Sequence, residues 1–253
     1  MSTLASRCKR VRYEKLPQGQ FSNINHVYYQ KIIFYGNYAD VTTYNKIRLT
    51  FKNPSRSFTR KPTTKTARSL LRSSQNLYRL ALSNADHFRQ HATIFATLKY
   101  HRNHQDISQA YYDFKLFIQK LKYNYNFPIR YIAIPEFQKR GAIHFHCIFF
   151  SVPFIPVKDI EALWGHGSYN QGVDWQIAKH IQATGSYLIK YLRKGLSDPR
   201  LIGYRVILSS RNLIRPKTSF DEQDLTDFVQ DRKIKVLKEF KNEHLIHKKI
   251  YAE

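Results

Sequence analysis

With 253 residues, 42% of them hydrophobic, the chain has material for a substantial core and is too apolar to be a disordered tail. Its 42 Lys and Arg against 18 Asp and Glu give a formal charge of +24, which calls for a polyanionic partner, nucleic acid ahead of anionic lipid. The two cysteines, Cys8 and Cys147, are too few for a disulfide framework or a cysteine-built zinc site, and no apolar run is long enough to span a bilayer.

The start, "MSTLASRCKRVRYEK", is basic but lacks the apolar stretch of a secretion signal, so a reducing, cytoplasmic setting is expected, with no membrane partner. Residues 1–60 form a Tyr- and Asn-rich basic extension, with strands expected at "VYYQKIIFY" and "KIRLTF". The turn-rich "KNPSRSFTRKPTTKTARS" reads as a basic loop. Then "TARSLLRSSQNLYRLALSNA" spaces Leu70, Leu71, Leu77, Leu80 and Leu82 at roughly helical intervals, and Arg68, Arg72 and Arg79 give that helix a basic face suited to DNA.

A compact region over residues 61–216 continues with a strand, "TIFATLKY", and a helix, "ISQAYYDFKLFIQKLK". In that helix Ile107, Ala110, Tyr111, Phe114, Ile118 and Leu121 make one apolar face. Two strands follow, "IRYIAIPEF" and "AIHFHCIFF", then a short helix, "VKDIEALW", and an edge strand in "GSYNQGVDWQI". The helix "TGSYLIKYLRKG" is expected to open near Thr184 and stop at Gly195, and "GYRVILSSRNL" returns as a strand. Residues 217–253 read as a charged, helical tail. This order predicts an α+β fold, an antiparallel sheet with helices on one face.

The segment "RGAIHFHCIFF" places His144 and His146 on one strand face and Ile143, Phe145, Cys147 and Phe149 on the other. If the strands pair around "KRG" with Gly141 in a left-handed position, Glu136 faces His144 and Ile134 faces His146, with Cβ atoms about 5 Å apart. Paired strand histidines also occur as structural core residues. A carboxylate in register favours an open metal site suited to Mn²⁺, Mg²⁺ or Zn²⁺, with Mn²⁺ or Mg²⁺ preferred.

In "YLIKYLRK", Tyr187, Lys190, Tyr191 and Lys194 share a helical face at i, i+3, i+4 and i+7. A polar face with snorkelling lysines would look the same. The chemical alternative is a phenol nucleophile helped by a nearby lysine and a divalent cation at the scissile phosphate, which is phosphotransfer without a nucleotide cofactor.

These motifs together resemble the HUH endonucleases. "AIHFH" is similar to their His-hydrophobic-His motif, "YLIKY" to their Tyr-x-x-Lys motif, and "TIFATLKY" to the strand ahead of the metal hairpin. The run "WGHG…GSYLIKYLRK…GYRVILSSRNLIRP" looks like rolling-circle replication-associated proteins of small plasmids and phages. The resemblance covers about residues 60–216.

It implies a five-stranded antiparallel sheet of ferredoxin-like type, metal ligands Glu136, His144 and His146, and attack by Tyr187 on single-stranded or cruciform origin DNA. Lys190 would assist, with Tyr191 as a second nucleophile in relatives that use two, and Lys139, Arg140 and Lys194 would join the helix arginines as DNA contacts. No G-x-x-x-x-G-K-[ST] loop occurs, so unwinding is expected from a host helicase in trans or from supercoiling. An HUH transposase or mobilisation relaxase shares this chemistry. A non-catalytic basic nucleic-acid-binding protein is the alternative of another class.

Overall fold

The computed structural model describes residues 24–51, 67–88, 90–167, 172–178, 181–230 and 232–252. Strands β1 (Ile24–Tyr35) and β2 (Tyr38–Phe51) form an antiparallel hairpin. Its two-residue turn is possible because Gly36 takes φ +61°, a region that costs glycine nothing. Both strands expected here are present, and each is longer than its apolar run. Helix α1 (Ala67–His87) then presents its leucines in two directions. Leu77 and Leu80 enter the main core, whereas Leu82 packs with Tyr35 and Tyr38 of the hairpin.

The main sheet begins with β3 (Ala92–Lys99), after which α2 (Ile107–Tyr125) starts at Asp106, whose carboxylate accepts from the Ser108 and Gln109 amides. Strands β4 (Arg130–Phe137) and β5 (Ile143–Val152) form the second hairpin, followed by α3 (Val157–Trp164), the edge strand β6 (Val173–Ile177) and α4 (Ile181–Ser197). The returning strand β7 is only Leu208–Ser209, paired with β4. The sheet order is β6-β3-β5-β4-β7, antiparallel throughout.

All ten residues of β5 are buried, because both of its faces are covered. Phe145 and Phe149 meet Phe114 and Phe117 of α2, while His146 on the opposite face meets Tyr191 of α4. Helices α2 and α3 therefore satisfy the expected one-sided packing, and α4 and α1 cover part of the other side. Burying an apolar side chain of this size stabilises by about 1.5–3 kcal/mol, so this sandwich carries much of the stability.

Two expectations need correction. Gly195 does not stop α4, which runs on to Ser197; a Cβ there would lie 3.1 Å from the Pro135 carbonyl oxygen and 2.8 Å from Val206, so the glycine lets helix and strand approach. The tail is not a helix throughout. After β8 (Lys217–Ser219) only α5 (Glu222–Val229) is helical, and β9 (Ile234–Lys241) and β10 (Leu245–Ala252) are strands. These join the N-terminal hairpin in a second antiparallel sheet, ordered β8-β1-β2-β10-β9. The fold class is α+β with two five-stranded antiparallel sheets, compatible with a ferredoxin-like HUH arrangement. Among the described residues no helix is long and apolar enough to cross a membrane.

Candidate active site

The β4–β5 hairpin has the register expected from its sequence: Glu136 pairs with His144, Ile134 with His146, and Gly141 takes φ +95° at the tip. Period-two alternation then puts Glu136, His144 and His146 on one face. On the other side of β5, Lys99 lies opposite His144 and Thr97 opposite His146.

Glu136 is nearly buried and engaged at both oxygens. Oε2 is 2.7 Å from His146 Nε2, and Oε1 accepts from Lys194 Nζ at 2.6 Å. Burial works to raise its carboxyl, but the His146 and Lys194 hydrogen bonds outweigh that and hold it below its ordinary range. His144 sits differently. Its Nε2 is buried and has no hydrogen-bond partner among the described residues. Burial, then the positive neighbours His146, Lys99 and Arg140, press its pKa down to about 4, so the imidazole is neutral near pH 7.

An orphaned, neutral imidazole nitrogen beside a second imidazole and a carboxylate fits the donor set of an open divalent-cation site. Among the described residues no three such donors already converge on one point. Glu136 and His146 are bonded to each other, and the Lys194 ammonium takes the remaining carboxylate oxygen.

Helix α4 supplies the phenols. The Tyr191 ring stacks on His146, and its hydroxyl donates to that of Tyr187. Burial, followed by the Tyr187 hydrogen bond, pushes the Tyr191 phenol above its ordinary range. Tyr187 lies against Phe95 and is 44% exposed, against 8% for Tyr191, so Tyr187 is the phenol that a strand of nucleic acid can reach.

The predicted site residues separate into three groups. Glu136, His144, His146, Tyr187, Tyr191 and Lys194 come together, although Lys194 meets the carboxylate here and was expected to contact DNA. Lys190 and Lys139 are exposed, and Arg140 is anchored at the hairpin tip by the Gln138 side chain at 3.1 Å. Arg68 and Arg72 are exposed on α1, while Arg79 is taken up by Asp40 at 2.8 Å, between α1 and the second sheet.

Sequence reasoning missed Thr97, whose hydroxyl lies 3.4 Å from His146 Nδ1, and Phe95 under Tyr187. The signal for both was the alternation in "TIFATLK", which sets Phe95, Thr97 and Lys99 on one face.

No curated protein and no solved structure matches the chain significantly. Residues 93–196, the span that runs from β3 through the metal-type hairpin and the two tyrosines, match the model of a replication-associated protein family, that of the ORF2 type.

Proposed function

We propose that the protein is a rolling-circle replication initiator, acting in the cytoplasm of a bacterial host cell, that nicks and later rejoins single-stranded origin DNA. The observation that carries this reading is one coincidence. The span similar to replication-associated proteins contains an exposed Tyr187 within one helical turn of Tyr191, whose ring lies on His146 of the Glu136–His144–His146 face.

In the proposed step the Tyr187 oxygen bonds to phosphorus as the bond from phosphorus to the 3′ oxygen breaks. The phenol loses a proton and the departing oxygen gains one, leaving a 5′-phosphotyrosine and a free 3′-OH. One phosphodiester replaces another, so no nucleotide cofactor is needed. Tyr191 holds the Tyr187 hydroxyl by hydrogen bond, and its own raised pKa makes it the poorer nucleophile as placed. Lys190, one turn beyond Tyr187, is placed to offset phosphate charge. Glu136, His144 and His146 would hold a Mn²⁺ or Mg²⁺ ion, which when bound would polarise the scissile phosphate. Glu136 would then exchange its present partners, His146 and Lys194, for the cation.

The experiment is to mix the protein with Mn²⁺ and single-stranded origin DNA and to look for a denaturation-resistant adduct together with an end that a polymerase can extend. Both are expected. Cleavage without an adduct would mean that water is the nucleophile, and no cleavage at all would favour a non-catalytic DNA-binding role.

A further inference from the structure

Helix α1 stands between the two sheets, and only part of it is fastened to the second one. Arg79 pairs with Asp40 at 2.8 Å, Asp40 accepts from the Tyr35 hydroxyl at 2.8 Å, and Lys249 lies 4.5 Å from the centre of the Tyr78 ring. Elsewhere helix and sheet leave a groove of about 1510 Å³. Its floor contains a row of register partners running across four strands, Lys31, Thr42, His247 and Phe240. Its walls include Arg72 from α1 and Arg205 and Arg215 from the segment beyond α4.

The charge of this groove is one-sided. Lys31, Arg72, Arg205, Arg215 and Lys238 line it, and none of the described lining residues is Asp or Glu. None of these five cations is in an ion pair among the described residues. Burial, then Arg79 and Arg72, lowers the affinity of the Lys31 amine for its proton, which is what uncompensated crowding of like charge produces. Such a cluster is relieved by a polyanion. The groove also offers flat apolar faces. Phe240 is 53% exposed, and Tyr44 is half-buried, with Tyr28 edge-on at 5.9 Å and Arg48 5.1 Å from its ring centre.

We propose that this groove is a second nucleic-acid site, built by the two ends of the described chain, that takes a single-stranded DNA segment away from the tyrosine helix. Cations in it follow the phosphates, and Phe240 and Tyr44 stack with bases. A duplex keeps its base faces covered and would leave both rings unused. That the strand is DNA rests on the replication reading; that the groove takes a polyanion does not.

The test is fluorescence anisotropy of the full chain with a labelled oligo-dT, titrated at several salt concentrations in EDTA so that strand cleavage plays no part. Arg72→Gln/Arg215→Gln, both exposed positions, should weaken binding about tenfold and reduce the slope of log K against log salt by about one. Phe240→Ala should weaken it about tenfold with the slope unchanged. Unchanged affinity in both variants would overturn the proposal, as would a loss confined to duplex DNA. A preserved effect in a protein that forms no adduct would leave this site standing while removing the nicking reading.

Discussion

The Tyr191 ring lies almost parallel to the His146 imidazole, at 13° and with centroids 3.4 Å apart. This one contact puts the tyrosine helix on the histidine face of the main sheet. Chemistry that needs a phenol, a carboxylate and two imidazoles together is therefore sterically open to this chain.

His144→Ala removes the unpartnered nitrogen and leaves Glu136, His146 and Lys194 bonded as they are. Metal-dependent cleavage should fall by more than about 100-fold, as expected when a metal ligand is lost. Salt-sensitive DNA binding should be largely retained, because it depends on the basic surface. Gel cleavage assays and anisotropy on the same preparation check both halves.

Lys194 competes with any cation for Glu136. Lys194→Met should tighten Mn²⁺ binding, since removing a unit charge a few ångströms from the ion is worth about 1 kcal/mol even under water-like screening, roughly fivefold in affinity. Isothermal titration calorimetry measures it. Weaker binding would show instead that Lys194 orients the carboxylate.

Gly195→Ala sets a gain in helix propensity of about 1 kcal/mol against an overpacking cost of about 1–3 kcal/mol. The nearest obstacles include the Pro135 backbone oxygen, which cannot rotate away as a side chain can. A net loss of about 1 kcal/mol is expected, lowering Tm by roughly 2–4 °C. Adduct formation should fall as well, because α4 is pushed off the strand that carries Glu136.

Arg79→Ala strands the Asp40 carboxylate, which is nearly buried. Leaving one partner of such a pair uncompensated costs about 3 kcal/mol or more, and Tm should drop by roughly 10 °C. Calorimetry of the variant against the wild type checks whether this pair fastens α1 to the second sheet.

The main sheet and its site were legible because their signals are local. Gly141 with period-two alternation sets the hairpin register, and Tyr187, Tyr191 and Lys194 share a helical face over two turns. The second sheet was not legible. Strand β9 is exposed along its whole length and interleaves lysines with apolar residues, so its pattern does not separate helix from strand. Its partner β10 pairs with β2 about two hundred residues earlier, Leu245 with Tyr44, and no window of sequence contains both. Gly195 misled for a related reason: it answers a close approach by Pro135 and Val206, which only the folded chain brings near.

The central claim is that Tyr187 is the nucleophile beside this donor set. The most direct measurement is protease digestion of the covalent complex and mass spectrometry of the peptide that carries the nucleotide. The account predicts a 5′-nucleotide mass on Tyr187, lost in Tyr187→Phe. DNA cleaved with every α4 peptide at its unmodified mass would contradict it.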